Sequence, residues 1–230
     1  MKNMNTLLSV LILSGAAFAY ADDAPYESTY KPLPYTNTIF RNANIYDGDG
    51  NEFQNTDLFI RDGKIIAIGK DLPGSSDFIE IDASNKWITP GIIDIHSHMG
   101  VYPAPSVRTS SDGNEATSPV TADVWAEHSI WVQDPQFALA LKGGVTTFHV
   151  LPGSANLIGG RGVTAKNLQR NTINSMQYPN APHSLKMACG ENPKRVYGNR
   201  NQAPSTRMGN IAGYRKSVSY THLRAHETRH

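Results

Sequence analysis

The apolar positions of this 230-residue chain change period several times. Residues 7–13 are an apolar run broken only by Ser9 and preceded by Lys2. The run is shorter than the about 20 residues needed to cross ~30 Å of hydrocarbon. It ends in two small-x-small sites, Ala17-Phe18-Ala19 and Ala19-Tyr20-Ala21. That pattern predicts a cleaved secretory signal over residues 1–21 and no stable membrane anchor. The mature protein is then expected to be exported, into the periplasm of a Gram-negative source. Residues 22–36 are polar and proline-containing and read as a linker or extended arm.

Short β-type runs follow. Residues 38–40, 44–46, 56–61 and 64–68 are rich in strand formers, and Asp62-Gly63 sits between the last two. A two-residue Asp-Gly link suits a type I′ hairpin, which needs positive φ at both central residues. Residues 78–81 add a further strand candidate. Residues 37–89 therefore read as a small β-sandwich unit.

After Pro90-Gly91 the pattern lengthens. Residues 92–98 (IIDIHSH) and 145–150 (VTTFHV) read as strands, and residues 185–189 as a third. Thr121 is placed to cap a helix reaching Ile130. Asp134-Pro135 is a better helix start, a carboxylate cap with proline at the first helical position. Gly143-Gly144 ends that helix. Strands alternating with helices predict a parallel α/β arrangement over residues 90–217.

Composition narrows the partners. The chain is 39% hydrophobic and 18% charged, with net charge +1, so neither a basic nucleic-acid stripe nor an acidic tail is present. A small-molecule substrate is the expected partner, and an oligomer is compatible with the composition. Cys189 is the single cysteine, which excludes an intrachain disulfide. It reads as a small buried apolar residue.

His96 and His98 stand two apart on a strand, so both side chains face the same way. They lie at the strand's C-terminal end, where parallel barrels build their sites. Neutral imidazoles suit zinc and similar divalent metals. Asp94 shares their face one step deeper and is placed to orient a histidine.

The run ITPGIIDIHSHMG, following RDGKIIAIG, resembles the amidohydrolase superfamily. The blocks DGNEATSPVTADVWAEHSIWVQDPQFALALKGGVTTFHVLPGSANLIGGRG and KMACGENPKRVYG resemble its exported, imidazolonepropionase-like branch. The resemblance covers residues 37–216. It implies an α/β fold, a metal-dependent (β/α)8 barrel preceded by a β-sandwich, with His96 and His98 binding a divalent metal, zinc in the first instance. It implies hydrolysis of C–N bonds in small amides or cyclic amides. Glu191, after the third strand, is the favoured further ligand, as a carboxylate in that place resembles N-acetylglucosamine-6-phosphate deacetylase. Lys186 is the rival, since some members use a carboxylated lysine that bridges two metals. It is disfavoured because it opens its strand, towards the wrong end of a barrel. Lys166 is a weaker rival. An exported binding protein that kept the barrel and lost catalysis is the alternative reading.

The glycine-rich NLIGGRG (residues 156–162) lacks phosphate-loop spacing and reads as a tight turn. In the resembling branch that turn lies by the site, so Asn156 and Gly159 are expected to shape the pocket. His128 and His149 read as structural, and Trp125 and Trp131 as core or pocket wall.

The chain ends in HETRH, His226 to His230, which fits the zinc-protease signature H-E-x-x-H. A working site needs a helix, a third ligand and a cleft. No residue follows to supply the ligand, and the preceding GYRKSVSYTHLR has no clear helical stripe. Residues 91–217 amount to about half of the roughly 250 residues of a (β/α)8 barrel. The superfamily's later histidines and general-base aspartate are expected beyond Ser217. VSYTHLRAHET reads as one frame of a transposase adapter used in DNA library preparation. Residues 218–230 are therefore expected to be adapter read-through, HETRH a chance match, and the chain an inactive fragment of its parent.

Overall fold

A computed structural model describes residues 26–227. The signal-peptide reading falls on residues 1–21 and lies outside them, as do Thr228 to His230 of the HETRH match. Among the described residues no helix is long and apolar enough to cross a membrane.

The first sheet contains β1 (Thr38–Tyr46), β2 (Glu52–Arg61), β3 (Lys64–Gly69) and β4 (Ile79–Asp82), in the order β3-β2-β1-β4. The two-residue β5 (Trp87–Ile88) pairs with β1. The β2–β3 hairpin closes at Arg61 opposite Lys64, with φ of 51° at Asp62 and 71° at Gly63. Both values are those a type I′ turn demands. A side chain at Gly63 would also collide with the Tyr35 ring. Ala43, Ile45, Leu58 and Ala83 form the small core beneath.

Asp57 fastens this unit. It is 4% exposed and accepts hydrogen bonds from the Asn42 amide (3.0 Å), the Leu72 amide (3.1 Å) and Arg41 Nη1 (2.7 Å). Burial alone would raise its carboxyl, but the Asn42 amide, Arg41 and the Leu72 amide together hold it below the ordinary value. A lowered acid stabilises the fold above its unfolded value, about 3.9, and that contribution is lost as pH falls through the folded value. Asp57→Ala is expected to cost about 3 kcal/mol, because two amides and a guanidinium lose one partner. Urea unfolding at pH 7 measures it; a loss below about 1 kcal/mol would remove Asp57 from this role.

The second sheet has the order β6-β7-β8-β9, with β6 (Ile92–Ser97), β7 (Val145–Val150), β8 (Ile158–Lys166) and β9 (Ser184–Met187). β6 and β7 are parallel, as the pattern predicts. The glycine-rich stretch is not a turn. Residues from Ile158 onward form β8, antiparallel to both β7 and β9. The purely parallel expectation is corrected accordingly: β6, β7 and β9 run one way, with β8 reversed between β7 and β9.

Helix α1 (Pro135–Lys142) starts as expected. Asp134 accepts from the Gln136 amide, Pro135 opens the helix, and Gly143 and Gly144 end it. Asp134 is 2% exposed and also accepts from the Gly100 amide at 2.9 Å, tying the chain after β6 to the helix cap. Phe137 of α1 stacks on Phe148 of β7 at 5.1 Å. Val150, Val163, Ala165 and Met176 complete that core. Alternation along β7 then sends Thr147 and His149 to the opposite face. Thr121 caps no helix. It donates to the Ile158 carbonyl and lies in extended chain beside β8, followed by one 3-10 turn at Ala126–Ser129.

Helix α2 (Glu191–Gly198) follows β9, and α3 (Arg207–Glu227) follows α2. Tail residues 218–227 continue α3, although their sequence shows no apolar stripe. Cys189 is exposed, not buried, because β9 ends at Met187 and leaves it in the connection to α2.

Candidate functional site

β6 delivers His96 from within the strand and His98 from one residue past its end. Their rings meet edge to face with centroids 5.2 Å apart. His98 Nδ1 lies 2.8 Å from the Leu151 carbonyl oxygen, just past β7. A carbonyl only accepts, so Nδ1 carries the proton and Nε2 keeps its lone pair. This is the arrangement by which backbone carbonyls orient ligating histidines. Tyr102 adds a ring edge against His98 at 5.7 Å.

The third nitrogen comes from β9. Lys186 Nζ lies 3.1 Å from His96 Nε2, and Lys186 is 8% exposed. Desolvation lowers the lysine below its ordinary value, favouring the neutral amine. The neighbouring Lys186 charge, then burial, then His98 lower the His96 imidazole, with Asp94 opposing. Low basicity at both sites suits lone-pair donation to a cation. The residues therefore fit a divalent metal of the kind imidazoles prefer.

Asp94 does not reach a histidine ring. Its Oδ1 accepts from the His96 backbone amide at 3.1 Å, so it fixes the strand end. Glu191 is exposed in the first turn of α2. Among the described residues no three His, Cys, Asp or Glu side chains are grouped to hold a metal ion, so Glu191 is not brought to the histidine pair. The argument that set Lys186 aside is corrected: β9 begins at Ser184, is only four residues long, and the lysine stem carries Nζ to His96. Lys166 Nζ turns elsewhere, towards Thr147 Oγ1 (3.4 Å) and the face of Tyr178 (4.7 Å).

His149 is held by two hydroxyls, Thr164 Oγ1 at 2.8 Å and Ser184 Oγ at 2.6 Å. Gly162 makes room for this bridge, since an added Cβ would lie 2.7 Å from Ser184 Oγ and 2.9 Å from His149 Nε2. Asn156 is 1% exposed; its amide donates to the Glu115 carbonyl and Thr121 Oγ1, and its oxygen accepts from Tyr197 OH. It is a buried hub tying the loop before β8 to α2. Trp125 and His128 line a cavity of about 360 Å3, while Trp131 is 43% exposed.

No family model matches the chain. A solved amidohydrolase from Thermotoga maritima superposes with a TM-score of 0.74 at 38% identity, over 83% of this chain and 49% of that one. The amidohydrolase tasK of Hapsidospora irregularis is 33% identical over 206 residues, 78% of this chain and 21% of that protein. A dihydroorotase of Ligilactobacillus salivarius is 44% identical over 63 residues, 26% of this chain and 14% of that enzyme.

The chain belongs to the amidohydrolase superfamily.

It spans about half the length of the Thermotoga amidohydrolase and about a fifth of tasK. As an amidohydrolase-superfamily chain its fold is α/β, and the curled β6–β9 sheet is part of a (β/α)8 barrel preceded by the β1–β5 unit. The alternation of β7 separates the two faces of that sheet: His149 shares one with Thr164 and Ser184, while Phe148 and Val150 pack on the other with Phe137 of α1. One partner escaped sequence reasoning, and a second, Lys186, was named there as a rival ligand and set aside. The Leu151 carbonyl is a backbone group and leaves no residue-type signal. Lys186 lies 90 positions from His96, and only the β6-β7-β8-β9 order brings them together.

Proposed function

We propose that the whole protein is an exported, metal-dependent hydrolase of C–N bonds in small amides or cyclic amides. The observation that carries this reading is His98, whose Nδ1 is spent on the Leu151 carbonyl while, among the described residues, no hydrogen-bond partner takes Nε2 beside His96. His96 and His98 hold the metal, zinc in the first instance, with Lys186 rather than Glu191 as the third group. Bound there, a divalent ion would supply Lewis-acid polarisation of the substrate carbonyl and an acidified water. Lys186 becomes a ligand only without its proton, and its burial favours that form. Tyr102 walls the His98 side. Membership of the superfamily and the names amidohydrolase and dihydroorotase among the relatives support the bond class.

The general-base aspartate of the resemblance is assigned to a later strand. The 230-residue chain is therefore expected to bind zinc without turnover. A protein extended from the source genome to the length of its relatives is expected to release amine from small or cyclic amides, to stop with chelator and to recover with zinc. An extended, zinc-loaded protein that hydrolyses none of these would favour the non-catalytic binding reading. Deleting residues 218–230 separates both from the terminal protease reading, since only that one predicts loss of zinc.

A further inference from the structure

Between His98 and α1 the chain makes a long excursion whose middle lies along β8 as a strap. The Thr121 amide donates to the Ile158 carbonyl (2.9 Å) and the Arg161 amide to the Val124 carbonyl (2.7 Å). Gly160 has a φ of +115°, and a Cβ there would come within 2.4 Å of the Val124 carbonyl oxygen, so the strap's close approach depends on glycine. Trp125 clamps it from the side. The Arg161 guanidinium lies 4.6 Å over the Trp125 ring, and His183 meets that ring edge-on at 4.6 Å.

Beneath the clamp sits Glu127, on the 3-10 turn Ala126–Ser129. Its side chain is 3% exposed, and among the described residues no donor hydrogen-bonds to either carboxylate oxygen. A buried carboxylate without donors is costly, whereas its neutral form is tolerated far better. Two imidazoles face it. His128 Nε2, on the same turn, is 3.7 Å from Oε1, and His183 acts on it from the connection before β9. Arg161 of β8 is occupied with the Trp125 face. Asp112, Glu115 and Asp123 line the cavity that His128 also lines, and Tyr26 meets the His128 ring edge at 6.2 Å.

We propose that Glu127 is a pH-sensitive latch on this strap. With the carboxyl neutral, the strap stays closed on β8. With the acid ionised, a charge without hydrogen-bond donors is buried and the strap lifts. Burial pushes the Glu127 carboxyl up, opposed by His183 and then His128. A raised acid stabilises the closed form below its ordinary value, about 4.3, and that stability is lost as pH rises through the raised value.

Hydrogen exchange of the 230-residue chain, read by mass spectrometry between pH 5 and 8.5 and normalised to intrinsic rates, tests the latch. Amides 120–131 are expected to lose protection as pH rises, about tenfold for each pH unit by which the acid is raised. Glu127→Gln keeps the shape without the charge and is expected to stay protected, with less than about twofold change across the range. His183→Asn leaves Glu127 in place, removes the larger influence opposing its burial, and is expected to extend the loss to higher pH. Protection independent of pH in the unsubstituted chain overturns the latch. So does an unchanged pH dependence in Glu127→Gln, or an unmoved transition in His183→Asn.

Discussion

Replacing either His96 or His98 with alanine is expected to weaken zinc binding by at least about 100-fold, beyond the 10–100-fold that removing an outer partner costs a metal site. Replacing both is expected to abolish it. The two rings face one another from i and i+2 positions at the end of β6, and no intervening side chain can substitute for either. The substitutions should leave the fold in place. His96 is exposed, and His98 is half-buried with one hydrogen bond to the Leu151 carbonyl, worth about 1 kcal/mol. A chelator competition titration reads the affinity, and far-ultraviolet circular dichroism checks the fold. If both single variants keep affinity within about threefold, the histidines are not the ligands and the metal-dependent reading fails with them.

The features legible in the sequence are those governed by local rules. The Asp62-Gly63 hairpin, the Asp134-Pro135 helix start and the β7 run each depend on a few neighbouring residues, and each is found where the pattern puts it. The histidine pair is legible for the same reason, because i and i+2 alternation is a strand property. What escaped depends on distant partners. β8 contains Gly159, Gly160 and Gly162, and glycine is depleted in strands. Here glycine admits two close approaches, the strap backbone over Gly160 and the His149–Ser184 bridge over Gly162. Glycines inside a strand-like segment are the signal that could have found them. The Thr121 helix failed because the Thr121 amide and hydroxyl both donate to the Ile158 carbonyl of β8. Lys186 was judged from strand direction alone, which neglects the reach of a four-carbon stem.

Lys186→Met is expected to change the site in two separable ways. Methionine fills a similar buried volume without charge, so the four-residue β9 should keep its pairing with β8. The first change is electrostatic. Lys186 is the largest influence lowering the His96 imidazole, so removing it should move the His96 titration to higher pH, followed by histidine ring resonances in the metal-free protein. The second concerns the metal. A neutral Lys186 amine can add carbon dioxide, forming a nitrogen–carbon bond and releasing a proton to leave a carbamate. That group would offer two oxygens where the ammonium offers none. Bicarbonate is therefore expected to increase zinc uptake by the unsubstituted chain and to give a carbamate carbon signal from labelled bicarbonate. Neither should occur in Lys186→Met, whose zinc affinity should also fall by about tenfold or more. If bicarbonate acts equally on both proteins, Lys186 is not the third group. If in addition the His96 titration does not move, the 3.1 Å contact between Lys186 and His96 does not govern the site.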